Sequence, residues 1–276
     1  MTSRRRTDAV ASVARGPFLA ARARWRDLLL RRTMRRLAGR KLLRAFADAY
    51  PEAFFIEIGA NDGEQADPLR PFILSRQWKG IMVEPLPHVF ERLRRNYGGL
   101  DRVVLENAAI ADGDGRLPLY HVGPVDSEDP EQMPDWYDAI GSFSRETLLR
   151  HAVHIPDLER RVVRTEVACL SFETLCRRHA VDRVDLMLID TEGYDYEIIK
   201  TIDFGARHPR LLIYEHYLLS AEERTECRAH IERLGYATME EGFDTWCLDV
   251  RPDDAVTRRW RRLRPSLPGF SMDELR

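Results

Sequence analysis

The sequence predicts a doubly wound α/β fold with a mostly parallel sheet, and three observations carry that prediction. An apolar run, Phe54-Phe55-Ile56, leads through Glu57-Ile58 into a turn, Gly59-Ala60-Asn61-Asp62-Gly63. A second run, Gly80–Val83, ends in Glu84-Pro85. A third, Val184–Asp190, ends in a polar stretch, Asp190–Glu197. Strands buried on both faces read as continuous apolar stretches, and their alternation with helical patterns makes the sheet parallel. The length, 276 residues, suits one large domain with additions.

The chain divides into three parts. Residues 1–49 are a basic tail and an amphipathic helix, 50–250 the main domain, and 251–276 a C-terminal tail that is basic, then polar. Net charge is −2 overall, but residues 1–44 hold 14 Arg and Lys against two Asp. The chain as a whole gives no polyanion-binding signal, and the remainder beyond residue 44 is strongly acidic. Residues 1–16 read as disordered. A helix is expected from Pro17 to about Ala49, with Trp25, Leu28, Leu29, Leu42, Leu43 and Phe46 on its apolar face. Two readings stand for it: a membrane-surface or acidic-partner helix, or a helix packed on the domain with solvated arginines outside. An Arg-rich, acid-poor start also has the composition of an organelle transit peptide.

Strand one is expected at 54–60. A helix across 66–77 is confined by Pro68 and Pro71. Strand two follows at 80–84, and a helix at Pro87–Tyr97 is ended by Gly98-Gly99. Strand three covers Val103–Ile110. Asp112–Gly115 is a turn into a strand at Leu117–Val122 that forms a hairpin. Residues 123–160 are the least regular, with four prolines and an acidic run at 126–135. Such a segment reads as a lid or acceptor wall, or as a surface insertion. A strand at Thr165–Leu170, a helix to about His179, the strand 184–190 and a helix at Tyr196–Ile202 follow. The strand Leu211–Tyr214, a helix at Ala221–Leu234 and a terminal antiparallel pair, 236–240 and 244–250, complete the domain. The four cysteines lack Cys-x-x-Cys spacing and read as reduced cytosolic thiols. No apolar run reaches the length of a membrane span, and no signal peptide is visible.

Two constellations carry the chemistry. The turn after strand one has the pattern Glu-x-Gly-x-x-x-Gly, and Glu84 lies 21 residues beyond Gly63. An acid at that distance accepts hydrogen bonds from ribose hydroxyls. A dinucleotide needs glycine in the middle of the loop, where this chain has Asn61 beside Asp62. Glu57 and Asp62 suit a ligand with a sulfonium and an ammonium group, so S-adenosylmethionine is favoured over NAD. In the second constellation, Asp190 and Glu192 end one strand, and Glu215 and His216 end another on the same sheet edge. His216 is a candidate general base, with Asp190 or Glu192 orienting it or taking the proton. No metal is predicted; Asp190, Glu215 and His216 are the set that would hold a divalent cation.

FFIEIGANDG, IMVEP, ENAAIADGDG, LMLIDTEGYDYEIIKTIDF and RLLIYEH together resemble the FkbM-type methyltransferase family over residues 52–250, with the Ile-Asp-x-Glu-Gly-Tyr block at 189–194 the most specific match. The resemblance implies a class I Rossmann-like fold and an S-adenosylmethionine-dependent O-methyltransferase. It implies that Glu57, Gly59, Ala60, Asn61 and Gly63 contact the methionine half, that Glu84 binds the ribose, and that Asn107 and Ala108 approach the adenine. It places Asp190 and Glu192 beside the acceptor, expected to be a hydroxyl of a sugar, glycolipid or polysaccharide precursor. The alternatives are a polyketide hydroxyl, or a membrane-docked binding module that has lost the chemistry. A nucleic-acid base methyltransferase is disfavoured, since no Asn/Asp-Pro-Pro-aromatic block is present. The expected location is cytoplasmic, with peripheral membrane contact through residues 17–49 as the open variant.

Overall fold

The computed structural model describes residues 37–124 and 133–275. The expected tail 1–16, the first part of the expected helix and most of the acidic run at 126–135 lie outside the described residues. The chain proceeds through helix α1 (Ala38–Ala49), strand β1 (Phe54–Ile58), α2 (Arg70–Ser75), β2 (Lys79–Val83), α3 (Pro87–Tyr97) and β3 (Val103–Glu106). Then come β4 (Ala109–Ile110), β5 (Gly115–Val122), β6 (Gly141–Ser142), α4 (Arg145–Leu149), α5 (Leu158–Arg161), β7 (Val162–Leu170) and α6 (Phe172–Arg178). The last part holds β8 (Leu186–Ile189), α7 (Asp195–Thr201), β9 (Leu211–Glu215), α8 (Ala221–Arg233), β10 (Tyr236–Glu241), β11 (Asp244–Asp249) and α9 (Ala255–Trp260).

The main sheet has seven strands in the order β3-β2-β1-β8-β9-β11-β10. β1 pairs in parallel with both β2 and β8, and β8 with β9. Only β11 runs against its neighbours. Alternation along each strand divides the core between the two faces. Ile56, Ile58, Met187 and Ile189 pack with Phe172, Leu175, Ile198 and Ile199 on one side. Phe55, Leu186 and Leu188 pack with Leu42, Leu43 and Phe46 of α1 and Val256 of α9 on the other. Burying each such side chain stabilises the fold by about 1.5–3 kcal/mol. The first helix, α1, and the last, α9, therefore pack on the same face of the sheet.

Strand three is shorter than the sequence suggests. The apolar run 103–110 is split, and Ala109–Ile110 joins a second sheet, β4-β7-β5-β6. Pro85 has no N–H to extend the ladder beyond β2. The Asn107 carboxamide donates instead to the carbonyls of Glu84, at 2.8 Å, and Pro85, at 3.2 Å. The hairpin expected for 117–122 is also corrected: β5 pairs antiparallel with β7 over eight residue pairs and with β6, not with the strand before it. The four cysteines are free and buried. Among the described residues, no helix is long and apolar enough to cross a membrane.

One carboxylate ties the two ends together. Glu241, at the end of β10, accepts from the N–H groups of Ala38, at 3.0 Å, and Gly39, at 2.8 Å, and from that of Ser266. It satisfies N–H groups that the first turn of α1 leaves open. Glu241→Ala strips an acceptor from three backbone donors and is expected to lower stability by about 2–4 kcal/mol. The shift of the urea midpoint at constant m-value measures it.

Candidate active site

A cavity partly open to solvent lies where the carboxyl ends of β1, β2 and β8 meet. This is where the chain's winding reverses direction across the sheet, the usual ligand position in open α/β folds. Its floor is Glu57, Gly59, Ala60, Asn61, Glu84 and Asp190, and its far wall is Leu119, Gly141 and Phe143 of the second sheet and its loop. Ala108, Thr191, Glu192 and Tyr194 also line it. The irregular segment thus supplies one wall. The rings of Phe143 and Tyr194 meet edge to face, 4.9 Å apart.

The turn after β1 is closed by backbone bonds from Gly59 and Ala60 N–H to the Val83 carbonyl, both 3.0 Å. Gly59 has φ +81°, and a Cβ there would lie 1.7 Å from the Asp190 carbonyl oxygen. The close approach that demands glycine is therefore that of the neighbouring strand end, beyond any need of a ligand. Asn61 takes φ +51°, a region asparagine tolerates better than most residues. Gly63 does not face the cavity. It packs on α3, where an added Cβ would meet Tyr97 at 2.4 Å, so its role is helix–strand packing and not the implied cofactor contact. Asn107 is exposed and braces the β2 end from outside the cavity, while its neighbour Ala108 does line it.

Five carboxylates line the cavity, those of Glu57, Asp67, Glu84, Asp190 and Glu192, and no Lys, Arg or His among the described residues does. Glu57 is 2% exposed, and its Oε2 has no hydrogen-bond partner. Burial, with Asp67 and Asp190 nearby, pushes its pKa well above the ordinary carboxylate range. Asp190 stands at the cavity wall with its surface open to the cleft. Its pKa is also pushed well up, by desolvation first and then by Glu192, Asp195, Asp244 and Glu84. Glu84 accepts from Leu86 N–H at 2.8 Å and Asn61 N–H at 3.1 Å. Burial outweighs those two bonds and raises its pKa to about 7. Asp67 is raised by burial to about 6. A cavity whose wall carries acids and no basic side chain favours a cationic ligand.

The loop after β8 is held from beneath by Asp195, a residue whose role is not apparent from the sequence alone. Fully buried, it accepts from Thr191 Oγ1 at 3.0 Å and from Glu215 N–H at 3.2 Å, joining the ends of β8 and β9. Burial raises its pKa to about 7. From above, Ser142 Oγ donates to the Glu192 carbonyl at 2.9 Å, and His151 Nε2 lies 3.0 Å from Glu192 Oε2. His151 is a second group that the sequence pattern does not mark.

His216 is not brought to the cavity. It is fully buried, Nδ1 bonded to Thr245 Oγ1 at 2.9 Å, and burial, reinforced by Arg224, lowers its pKa to about 4. It is no base for this cavity. Glu215 does not line it either. The set Asp190, Glu215 and His216 is not assembled, and among the described residues no group of three or more His, Cys, Asp or Glu is placed to hold a metal ion.

A parallel sheet ending in a reversed hairpin, with an acid-lined cavity where its winding reverses, is the class I methyltransferase architecture. The family model for the methyltransferase FkbM domain matches residues 57–239, more than half of the chain, and the protein belongs to that methyltransferase family. Over 152 residues it is 27% identical to the 2-O-methyltransferase NoeI of Sinorhizobium fredii (strain NBRC 101917 / NGR234), covering 54% of this chain and 57% of that protein. The chain thus matches little more than half the length of that relative. Among solved structures it is similar to the methyltransferase FkbM from Methylobacillus flagellatus KT, with TM-score 0.44 and 12% identity over 71% of this chain and 44% of that one. It is also similar to a methyltransferase from Geobacter sulfurreducens, with TM-score 0.40 and 12% identity over 76% and 77%.

Gly59→Ala forces a side chain into the Asp190 carbonyl at a left-handed backbone position. It is expected to cost more than about 3 kcal/mol, read as a collapse of the urea unfolding midpoint or of soluble yield.

Proposed function

We propose that this protein transfers a methyl group from S-adenosylmethionine to a hydroxyl of a sugar, glycolipid or polysaccharide precursor. The observation that carries the cofactor is the unpartnered, buried Glu57 Oε2 in a cavity whose charged lining residues, among those described, are all acids. A nicotinamide dinucleotide would bring its pyrophosphate to those same acids. S-adenosylmethionine supplies, when bound, an electrophilic methyl on a sulfonium centre. Glu57 offers a charge partner to a cationic group, and Glu84 retains lone pairs for ribose hydroxyls beside its two backbone donors. Asp190 is the proton acceptor for the acceptor hydroxyl, because its raised pKa makes it a stronger base than an ordinary carboxylate. Glu192, on the wall that faces the second sheet, aligns that hydroxyl. Transfer to oxygen is supported by the name of the relative, a 2-O-methyltransferase. The sugar class follows the family resemblance, and the carboxylate walls disfavour a nucleic acid.

Calorimetric titration tests the cofactor. S-adenosylmethionine is expected to bind saturably and NAD not at all. A cation favours the ionised form of carboxylates whose pKa values lie near 6 and 7 in the free protein, so binding releases protons. Affinity should therefore tighten about tenfold between pH 6 and pH 8. Equal affinity at both values, or binding of NAD, would count against the acid-lined site as the cofactor pocket.

Asp190→Asn is expected to cut turnover about 10²–10⁴-fold, with the dissociation constant for S-adenosylmethionine changed far less. Radiolabelled methyl transfer to a panel of methyl hexosides and 6-deoxyhexosides is the assay. Unchanged turnover removes Asp190 from the mechanism.

A further inference from the structure

We propose that His151 is a positioning residue that fixes the Glu192 carboxylate at the cavity wall, so that its second oxygen faces the acceptor hydroxyl. This rests on the O-methyltransferase reading above and goes beyond it, because it gives the irregular segment a part in the reaction.

The geometry starts from the backbone. Glu192 has φ +52° and Gly193 φ +91°, so the loop makes a tight left-handed turn just where a flexible glutamate must be aimed. Asp195 holds the loop from the sheet side. The segment between β5 and β7 holds it from the other: Ser142 grips the Glu192 carbonyl, and Thr147 packs so closely on Gly193 that a Cβ there would lie 2.8 Å from its methyl. Among the described residues of this segment, His151 hydrogen-bonds the Glu192 side chain, at 3.0 Å. The histidine is itself fixed. It is 6% exposed, the Trp136 ring stands edge-on 5.8 Å away, and its own carbonyl accepts from the N–H groups of His154 and Ile155.

Its tautomer follows from its partners. Nδ1 is buried with no hydrogen-bond partner among the described residues, and Nε2 faces a carboxylate oxygen, which can only accept while ionised. With a single ring proton, that proton sits on Nε2 and is donated to Glu192. One Glu192 oxygen is engaged, and the other is left for the cavity. A pair that only braced the loop would be interchangeable with the Ser142 bond; a pair that aims the carboxylate would not.

The test uses the full chain. With ¹⁵N-labelled histidine, long-range ¹H–¹⁵N correlation is expected to show His151 as the Nε2–H tautomer, and Glu192→Ala to change that signature. In the methyl-transfer assay, His151→Leu is expected to lower kcat about 10–100-fold, as misalignment of a reacting group does, with the Kd for S-adenosylmethionine within about twofold. His151→Gln, which keeps an N–H donor near the same place, should recover most of the loss. In a Glu192→Gln background His151→Leu should add little, because the histidine acts through that one side chain. An Nδ1–H tautomer, full additivity in the double variant, or wild-type kcat in His151→Leu each overturns the proposal. Absence of methyl transfer by the wild type strikes the function reading and this proposal together, whereas wild-type turnover with an indifferent His151 strikes this proposal alone.

Discussion

The close approach of Gly59 to the Asp190 carbonyl sets the spacing of everything at the site. It lets the ends of β1 and β8 converge where their chains turn away from each other, and the cavity is the gap that this divergence leaves. A side chain at that point would wedge the strand ends apart. The Val83 carbonyl, which holds both Gly59 and Ala60, fixes the third strand end in the same small space. Glu57, Glu84 and Asp190 are neighbours because their strands are.

That convergence concentrates negative charge, and the fold bears its cost. Glu57 leaves an oxygen unpaired, and Asp190 and Asp195 share one loop. The raised pKa values of these groups all have desolvation as their first cause. A bound cation would relieve that tension by charge. Apolar packing on both faces of the sheet supplies the stability that lets such a site persist.

How much of this could be read from the sequence depended on how local each signal was. The strands β1, β2, β8 and β9 were legible because apolar runs broken by Gly, Glu-Pro or Asp mark their ends without reference to the rest of the chain. Glu57, Glu84, Asp190 and Glu192 followed as the polar residues at those ends. The split of 103–110 was not legible: the apolar run is continuous, and the break depends on Asn107 finding the carbonyls of Glu84 and Pro85. His216 misled because it follows Glu215 at a strand end. One residue further along, the chain turns, its N–H goes to the Phe243 carbonyl, and the ring enters the protein interior. His151 was hidden for the opposite reason, since it approaches Glu192 from 41 residues away, out of a stretch with no periodicity.

The Glu241 clasp has a topological consequence. Positions 38 and 266 meet on one carboxylate, so the stretch between them closes into a loop held by hydrogen bonds instead of a covalent link. A cyclic permutant that joined these positions through a short linker and opened elsewhere, in an exposed turn such as Gly113, would preserve the sheet order and both core layers.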